Sequence, residues 1–299
     1  MERINNNIMN KFIYLLFLIC GSGNISLKAQ QNVVLEALEG CVADIPANAN
    51  CLCKTISITK CSVVAGATIN DDASTPLGIE YDWSSATNST LGVGFGATTN
   101  TRALVEIGGQ CWARYNMDVV NSNLSSYVAG TDTGWSGYYN NAASEPAANE
   151  GRVYQWSAAM NGSTADRAQG VCPSGWHVPS DCEVMYLENI LGMSVAEQQA
   201  VAARTTGTVG LKLARTGYTM GGSPSTNSSG FNYILSGQRA TDGTYNGRGT
   251  SSSIKTSTSN VDGFNVPVVR FLQTGSTGVE RTYGGAYRSG GQQVRCIKD

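Results

Sequence analysis

The sequence predicts an α+β fold dominated by short strands, with two helices side by side near the middle of the chain. Three observations lead there. Glycine supplies 35 of 299 residues, and runs such as Thr250 to Ser253 and Thr256 to Asn260 call for many turns over a mainly non-helical scaffold. Helical spacing with start signals appears between Ser180 and Arg204. Elsewhere, short runs rich in β-branched and aromatic residues alternate with turn residues. With 41% apolar and 14% charged residues, the chain can bury one or two ordinary cores.

The first residues read as an export signal. Lys11 precedes Phe12 to Ile19, an apolar run too short to span a bilayer but suited to a signal-peptide core. Ala29 marks a cleavage site, so residues 1–29 are taken as the signal peptide and the mature chain starts at Gln30. The rival processing is a lipid anchor at Cys20, but Ile19 is bulky where a small residue is wanted. No later apolar run could cross a membrane.

The mature chain keeps eight cysteines: Cys41, Cys51, Cys53, Cys61, Cys111, Cys172, Cys182 and Cys296. In an oxidising exterior an even set reads as disulfides, and a chain with one histidine lacks the partners for zinc. No metal or cofactor is expected; calcium would need an EF-hand or a carboxylate ladder, and neither is present. Charge is uneven. Residues 30–203 carry 6 Lys+Arg against 17 Asp+Glu, residues 204–299 carry 11 against 4. Either the halves face each other within the fold, which is the preferred reading, or the second presents a basic surface to anions; nucleic acid is not implied.

Residues 30–101 form a candidate cysteine-rich β domain, a small sandwich with strands at Val33–Leu38, Thr55–Lys60, Leu77–Trp83 and Leu91–Phe95. Tyr81 and Trp83 would share one face. Cys51 and Cys53, two apart on a strand, would each bridge to Cys41 or Cys61 rather than to each other. A second domain spans 102–299. Ala103–Ile107 opens it as a strand, and 122–150 is a long polar loop carrying Trp135, Tyr138 and Tyr139. Those aromatics either stack on sugar rings or pin the loop to the body.

Order returns at Gly151–Met160, followed by the densest stretch of the chain, Gly170 to Cys182, with two cysteines, two prolines, Trp176 and His177. Prolines stiffen this corner, and Trp176 suits the core. Ser180 with Glu183 forms a capping box for a helix whose Val184, Leu187 and Leu191 share a face and which Gly192 stops. Ser194 with Glu197 repeats the box for a second, alanine-rich helix running to Arg204. Strands then resume at Leu211–Ala214, Gly230–Leu235, Phe264–Leu272 and Gln293–Ile297, in a sheet expected to be antiparallel.

Five blocks in order resemble one family. Gly109-Gln-x-Trp112-x-x-x-Asn116, Gly151-Arg-x-Tyr154-x-Trp156-x-Ala-Ala-Met160, Gly170-x-Cys-Pro-x-Gly-Trp-His-x-Pro-Ser180, Ser229-Gly-Phe-Asn232 with Gly237-x-Arg239, and Val294-Arg-Cys-x-Lys-Asp299 are similar to the Fibrobacter succinogenes major paralogous domain. The resemblance covers 107–299. It implies a C-type-lectin-like mixed sheet with two helices, placement in secreted or outer-membrane proteins, and a Cys172–Cys296 bridge, but no reaction. Two departures stand out: Ser253–Thr258 replaces the family's Phe-Trp-Ser-Ser block, and Cys111 and Cys182 occupy positions where the family seldom has cysteine, which suggests an extra Cys111–Cys182 bridge.

No catalytic constellation emerges. His177, flanked by Trp176 and Val178, suits a structural hydrogen-bonding role better than that of a base. Asp166, Asp181 and Glu183 could be drawn as a glycosidase pair, but Glu183 is already used by the cap. The expected function is therefore non-catalytic binding or adhesion at the cell surface, to an extracellular glycan or protein. Its ligand contacts are assigned to Arg239, Tyr245, Arg248, Arg281, Tyr283, Tyr287 and Arg288 on the late loops, because Tyr offers rigid amphipathic area and Arg forked donors. The alternatives are a structural subunit or tip of a surface fibre and, third, an enzyme acting on a surface polymer.

Overall fold

The computed structural model describes residues 56–83, 101–120, 125–142, 150–261 and 264–299. All of these lie in one compact unit, Ala49–Asp299. The expected strands Val33–Leu38 and Leu91–Phe95, and Cys41, Cys51 and Cys53, fall outside the described residues.

In chain order the elements are β1 (Ala67–Thr75), β2 (Gly78–Trp83), β3 (Leu104–Ile107), β4 (Gln110–Ala113), β5 (Ser136–Gly137), β6 (Val153–Tyr154), α1 (Trp156–Ala159), β7 (Trp176–His177), α2 (Asp181–Ile190), α3 (Val195–Gln198), β8 (Ala202–Arg204) and α4 (Val209–Leu213). There follow β9 (Thr219–Met220), β10 (Ser223–Pro224), β11 (Ser236–Arg239), β12 (Tyr245–Arg248), β13 (Ser251–Lys255), β14 (Asn260–Val261), β15 (Phe264–Asn265), β16 (Val268–Gln273), β17 (Val279–Tyr283), α5 (Ala286–Ser289) and β18 (Ile297–Lys298). This is the expected α+β class.

Two six-stranded sheets carry the fold, in the orders β1-β2-β3-β4-β18-β7 and β12-β11-β13-β16-β17-β8. Among the described strands every pair is antiparallel except β11 with β13, joined at Gly237 and Ser252. The β3–β4 hairpin is apolar on both faces. Leu104, Cys111 and Ala113 point into one core cluster with Tyr154, Trp156 and Trp176, while Val105, Ile107 and Trp112 point into another with Leu187, Leu191 and Phe231. That is the two-residue alternation of a strand with no solvent face.

β2 and β3, on the two sides of residue 101, pair directly, with Ile79 opposite Glu106 and Tyr81 opposite Leu104. Residues 67–83 are therefore an edge hairpin of the first sheet, where a separate sandwich was expected. Tyr81 and Trp83 do share the buried face. Upstream, Ile56–Lys60 forms no strand: Ser57 N–H donates to Glu183 Oε1 at 2.9 Å and the Thr59 carbonyl accepts from Cys111 N–H.

The disulfides confirm one pairing and correct another. Cys172 joins Cys296, but Cys111 joins Cys61, not Cys182, because the backbone contact at Thr59 brings their Cα atoms to 4.8 Å. Cys61 is thus also unavailable to Cys51 and Cys53. Cys182 is disulfide-bonded too, to a partner outside the described residues.

Helix α2 forms as the sequence predicts. Both arms of the Ser180–Glu183 capping box are present, and Gly192 (φ 102°) follows the C-cap Leu191. The second helix is a single turn, α3, without a Ser194 cap bond; the Glu197 carboxylate instead accepts from Thr206 N–H and Oγ1–H. Ala202–Arg204 is a strand against β17, since this extension delivers Arg204 to Glu188. Leu211–Ala214 is mostly helical (α4), with Lys212 Nζ donating to the Leu191 carbonyl. Gly230–Leu235 buries Phe231, Tyr233 and Leu235 but joins no ladder as a strand, because the carbonyls of Phe231 and Asn232 accept from the Arg295 guanidinium. Two further spans are shorter than predicted, Phe264–Asn265 with Val268–Gln273, and Ile297–Lys298.

The two charge halves meet inside the protein. Asp181 Oδ1 lies 2.6 Å from Arg270 Nη1, and Asp181 Oδ2 lies 2.6 Å from Arg281 Nη2. Glu188 binds Arg204 through both oxygens at 2.7 and 2.8 Å and Arg270 Nε at 2.8 Å. All five side chains are buried. Burial alone would raise the Asp181 carboxyl, yet the guanidiniums of Arg270 and Arg281 outweigh it and hold the group well below the usual carboxylate range.

Replacing Cys172 and Cys296 by serine opens a link spanning 124 residues and should cost roughly 4 to 5 kcal/mol in the entropy model, readable as a lower denaturant midpoint. Non-reducing peptide mapping should recover Cys61 joined to Cys111. Asp181→Asn should destabilise the protein by about 3–5 kcal/mol at neutral pH, because it leaves buried guanidiniums uncompensated. The folded pKa is depressed, so the carboxylate's contribution is complete above its unfolded pKa of about 4 and fades as pH falls further. The gap between wild type and variant should therefore narrow below about pH 4 in pH-dependent chemical denaturation; a gap constant down to pH 2 would contradict the assignment.

Candidate functional site

The corner that carries His177 is a structural lock. Trp176 packs in the first core cluster, with its ring 5.6 Å from that of Trp83. The His177 ring is 2% exposed, with Nδ1 2.6 Å from Asp299 Oδ1 and Nε2 3.0 Å from both Glu183 oxygens. Burial alone would raise Glu183, but the bonds from His177 and from the backbone N–H groups of Ser180 and Ser57 hold it low. Asp166 accepts from the hydroxyls of Ser257 and Thr258.

The residues assigned to ligand contact divide into three places. Arg281 is not on a loop: it lies in β17, 4% exposed, with both Nε and Nη2 on Asp181. Its buried ion pair removes it from any surface. Tyr283 ends the same strand, half-buried. Tyr287 and Arg288 belong to α5, where the Arg288 guanidinium lies 4.4 Å from the Trp156 ring and donates to Asn265. The Tyr287 carbonyl and Gln292 Oε1 accept from Lys255 Nζ. Burial drives that ammonium's pKa down to about 7, against a weaker upward pull from Asp132.

Arg239, Tyr245 and Arg248 do come together, on the β11–β12 hairpin. The Arg239 guanidinium is stacked 3.6 Å from the Tyr127 ring centre and 4.3 Å from that of Trp135, with Tyr245 at 5.1 Å. Its Nε donates to the Gly243 carbonyl. Tyr245 Oη donates to Asn141 Oδ1, and the Tyr245 and Tyr139 rings lie 5.2 Å apart at 58°. Arg248 lies over Tyr139 at 5.5 Å and pairs in fork fashion with Glu150, Nε to Oε1 at 3.1 Å and Nη2 to Oε2 at 3.0 Å.

Gln155 pins the aromatic loop against this hairpin. Its Oε1 accepts from the N–H groups of Thr133 and Trp135, and its Nε2 donates to the carbonyls of Thr131 and Ser289. Of the two readings of the loop aromatics, pinning applies to Trp135, which is buried, whereas Tyr138 and Tyr139 stay half-buried. Gly237 (φ 76°) lets Tyr139 approach, since a Cβ there would come within 2.6 Å of its ring. The whole is a rigid aromatic and guanidinium face with amide groups at its edge, able to stack flat groups and to exchange hydrogen bonds.

Sequence reasoning missed Tyr127, Asn141 and Glu150 as members of this face. They lie about a hundred residues from the hairpin they touch, so spacing carried no signal. Among the described residues, the cavity lined by Trp112, Leu187, Leu213, Phe231, Tyr233 and Leu272 is about 20 Å³, room for one water and no ligand. No helix among them is long and apolar enough to cross a membrane.

The blocks that carry the resemblance are the ones now seen to lock together. Arg295, from the last block, donates to Asn116 Oδ1 of the first and to the carbonyls of Phe231 and Asn232 of the fourth. No curated protein and no solved structure matches the chain. The family model described as Fibrobacter succinogenes major domain matches residues 105–298, from β3 to the last strand. The chain belongs to that family.

Proposed function

We propose that this chain is an exported protein that binds an extracellular ligand at the cell surface without catalysis, through the face built by the β11–β12 hairpin and the 125–142 loop. The observation that carries the reading is Arg239 stacked with Tyr127 and Trp135, which fixes Tyr245 and Tyr139 as a preorganised pair of half-buried rings. Preorganised aromatics lose little entropy on binding and suit recognition. Export is supported by the signal-like N-terminus and by disulfides at five described cysteines, a habit of oxidising compartments. The non-catalytic reading is supported by the pairing of His177 with Glu183, of Asp181 with buried Arg270 and of Glu183 with half-buried Arg167.

Tyr139→Ala with Tyr245→Ala should weaken binding at least tenfold, or about 1.4 kcal/mol, while leaving the thermal midpoint close to wild type. Glycan arrays and surface-protein pull-downs with both proteins provide the measurement. Undiminished binding by a folded double variant would place the ligand elsewhere.

A further inference from the structure

We infer that the ligand of this face is a neutral, hydroxyl-rich glycan and not an acidic one. The inference rests on the proposed use of the β11–β12 face and adds the chemistry of what it takes. Among the described residues of the hairpin and the 125–142 loop the cations are Arg239 and Arg248 and the anions Asp132 and Asp242, with Glu150 paired to Arg248, so these residues supply no positive excess with which to draw in a polyanion.

Each cation is also already engaged. Arg239 has rings stacked against its plane and spends Nε on the Gly243 carbonyl. Arg248 is held in a two-point pair with Glu150, and an incoming carboxylate or sulfate would have to displace that partner and meet its repulsion. Arg288, nearby in sequence to the second sheet's rim, is committed to Asn265 and Trp156. A guanidinium that must break an existing fork to bind an anion gains little.

What the face leaves on offer is uncharged. The Tyr139 and Tyr245 rings are half-buried and tilted 58° to each other, a corner against which the C–H face of a sugar ring can lie. Asn140 and Asn246 are exposed beside them, and their carboxamides both donate and accept, as sugar hydroxyls require, while the Thr244 hydroxyl, which donates to Asp242 Oδ1, keeps its capacity to accept. Asn141 fixes the Tyr245 hydroxyl, so the corner is held before a ligand arrives.

The test is affinity electrophoresis of the mature chain, residues 30–299, in gels containing xylan, mannan or β-glucan and, in parallel, carboxymethylated forms of the same polymers. The expected result is retardation by at least one neutral polymer, unchanged between 50 and 500 mM salt and weakened at least tenfold by Tyr139→Ala with Tyr245→Ala. Retardation only by the carboxymethylated polymers, lost at high salt, would overturn neutrality; if the double variant abolished it, the face itself would still stand as the binding surface. No retardation by any polymer, with a protein captured instead and lost in the double variant, would overturn the glycan and keep the face. Neutral-polymer binding unaffected in a folded double variant would overturn both.

Discussion

The first turn of α2 is the constraint on which the rest of the molecule hangs. Three successive residues face three different structures: Asp181 reaches Arg270 and Arg281 in the second sheet, Cys182 is cross-linked, and Glu183 holds His177 of the first sheet. The capping box fixes this turn through contacts within four residues of chain. One helix end therefore sets the position of both sheets. A buried ion pair gains little over a well-packed apolar one, but loss of one partner leaves the other buried and uncompensated.

The same turn accounts for an arrangement that would otherwise be unfavourable. Arg270 and Arg281 stand directly opposite each other on β16 and β17, and like charges in that register repel. Asp181 lies between them and bonds to both. Glu188, two helical turns on, does the same for Arg204 and Arg270. The second sheet thus registers its strands on two carboxylates from one helix. Arg295 plays the equivalent part elsewhere, its guanidinium taking two carbonyls of a segment whose side chains are apolar enough for a strand.

What was legible in the sequence was local. The α2 cap and stop, the shared face of Tyr81 and Trp83, and the core role of Trp176 follow from spacing within a few residues, and all are present. The motif blocks revealed the family because their residues are the ones that lock onto each other. What spacing concealed depends on distant partners. Ala202–Arg204 reads as helix by composition, but β17 supplies a ladder and Glu188 a partner for Arg204. Cys111 finds Cys61 because an irregular segment lies beside β4, a contact with no periodic signature. Arg281 looked loop-borne among glycines, although its parity with buried Val279 marks the inward face of a strand.

The face proposed for binding belongs to the second category, and its assembly explains why the hairpin residues and the loop aromatics Trp135 and Tyr139 were named separately in the sequence but not joined. Arg239, Tyr245 and Arg248 share one hairpin and could be grouped from sequence; Tyr127, Trp135, Tyr139 and Glu150 reach them only because Gln155 holds the 131–135 backbone and Gly237 leaves room for a ring. Neither Gln155 nor Gly237 touches the rings as a ligand would. Gly237 is a residue of the fourth block and Gln155 lies between Tyr154 and Trp156 of the second, and the face they support is made of residues outside those blocks, Arg239 excepted. A scaffold of that kind can hold its platform steady while the loop side chains vary, so the chemistry of the ligand has to be read from the rings, amides and paired charges of the individual chain.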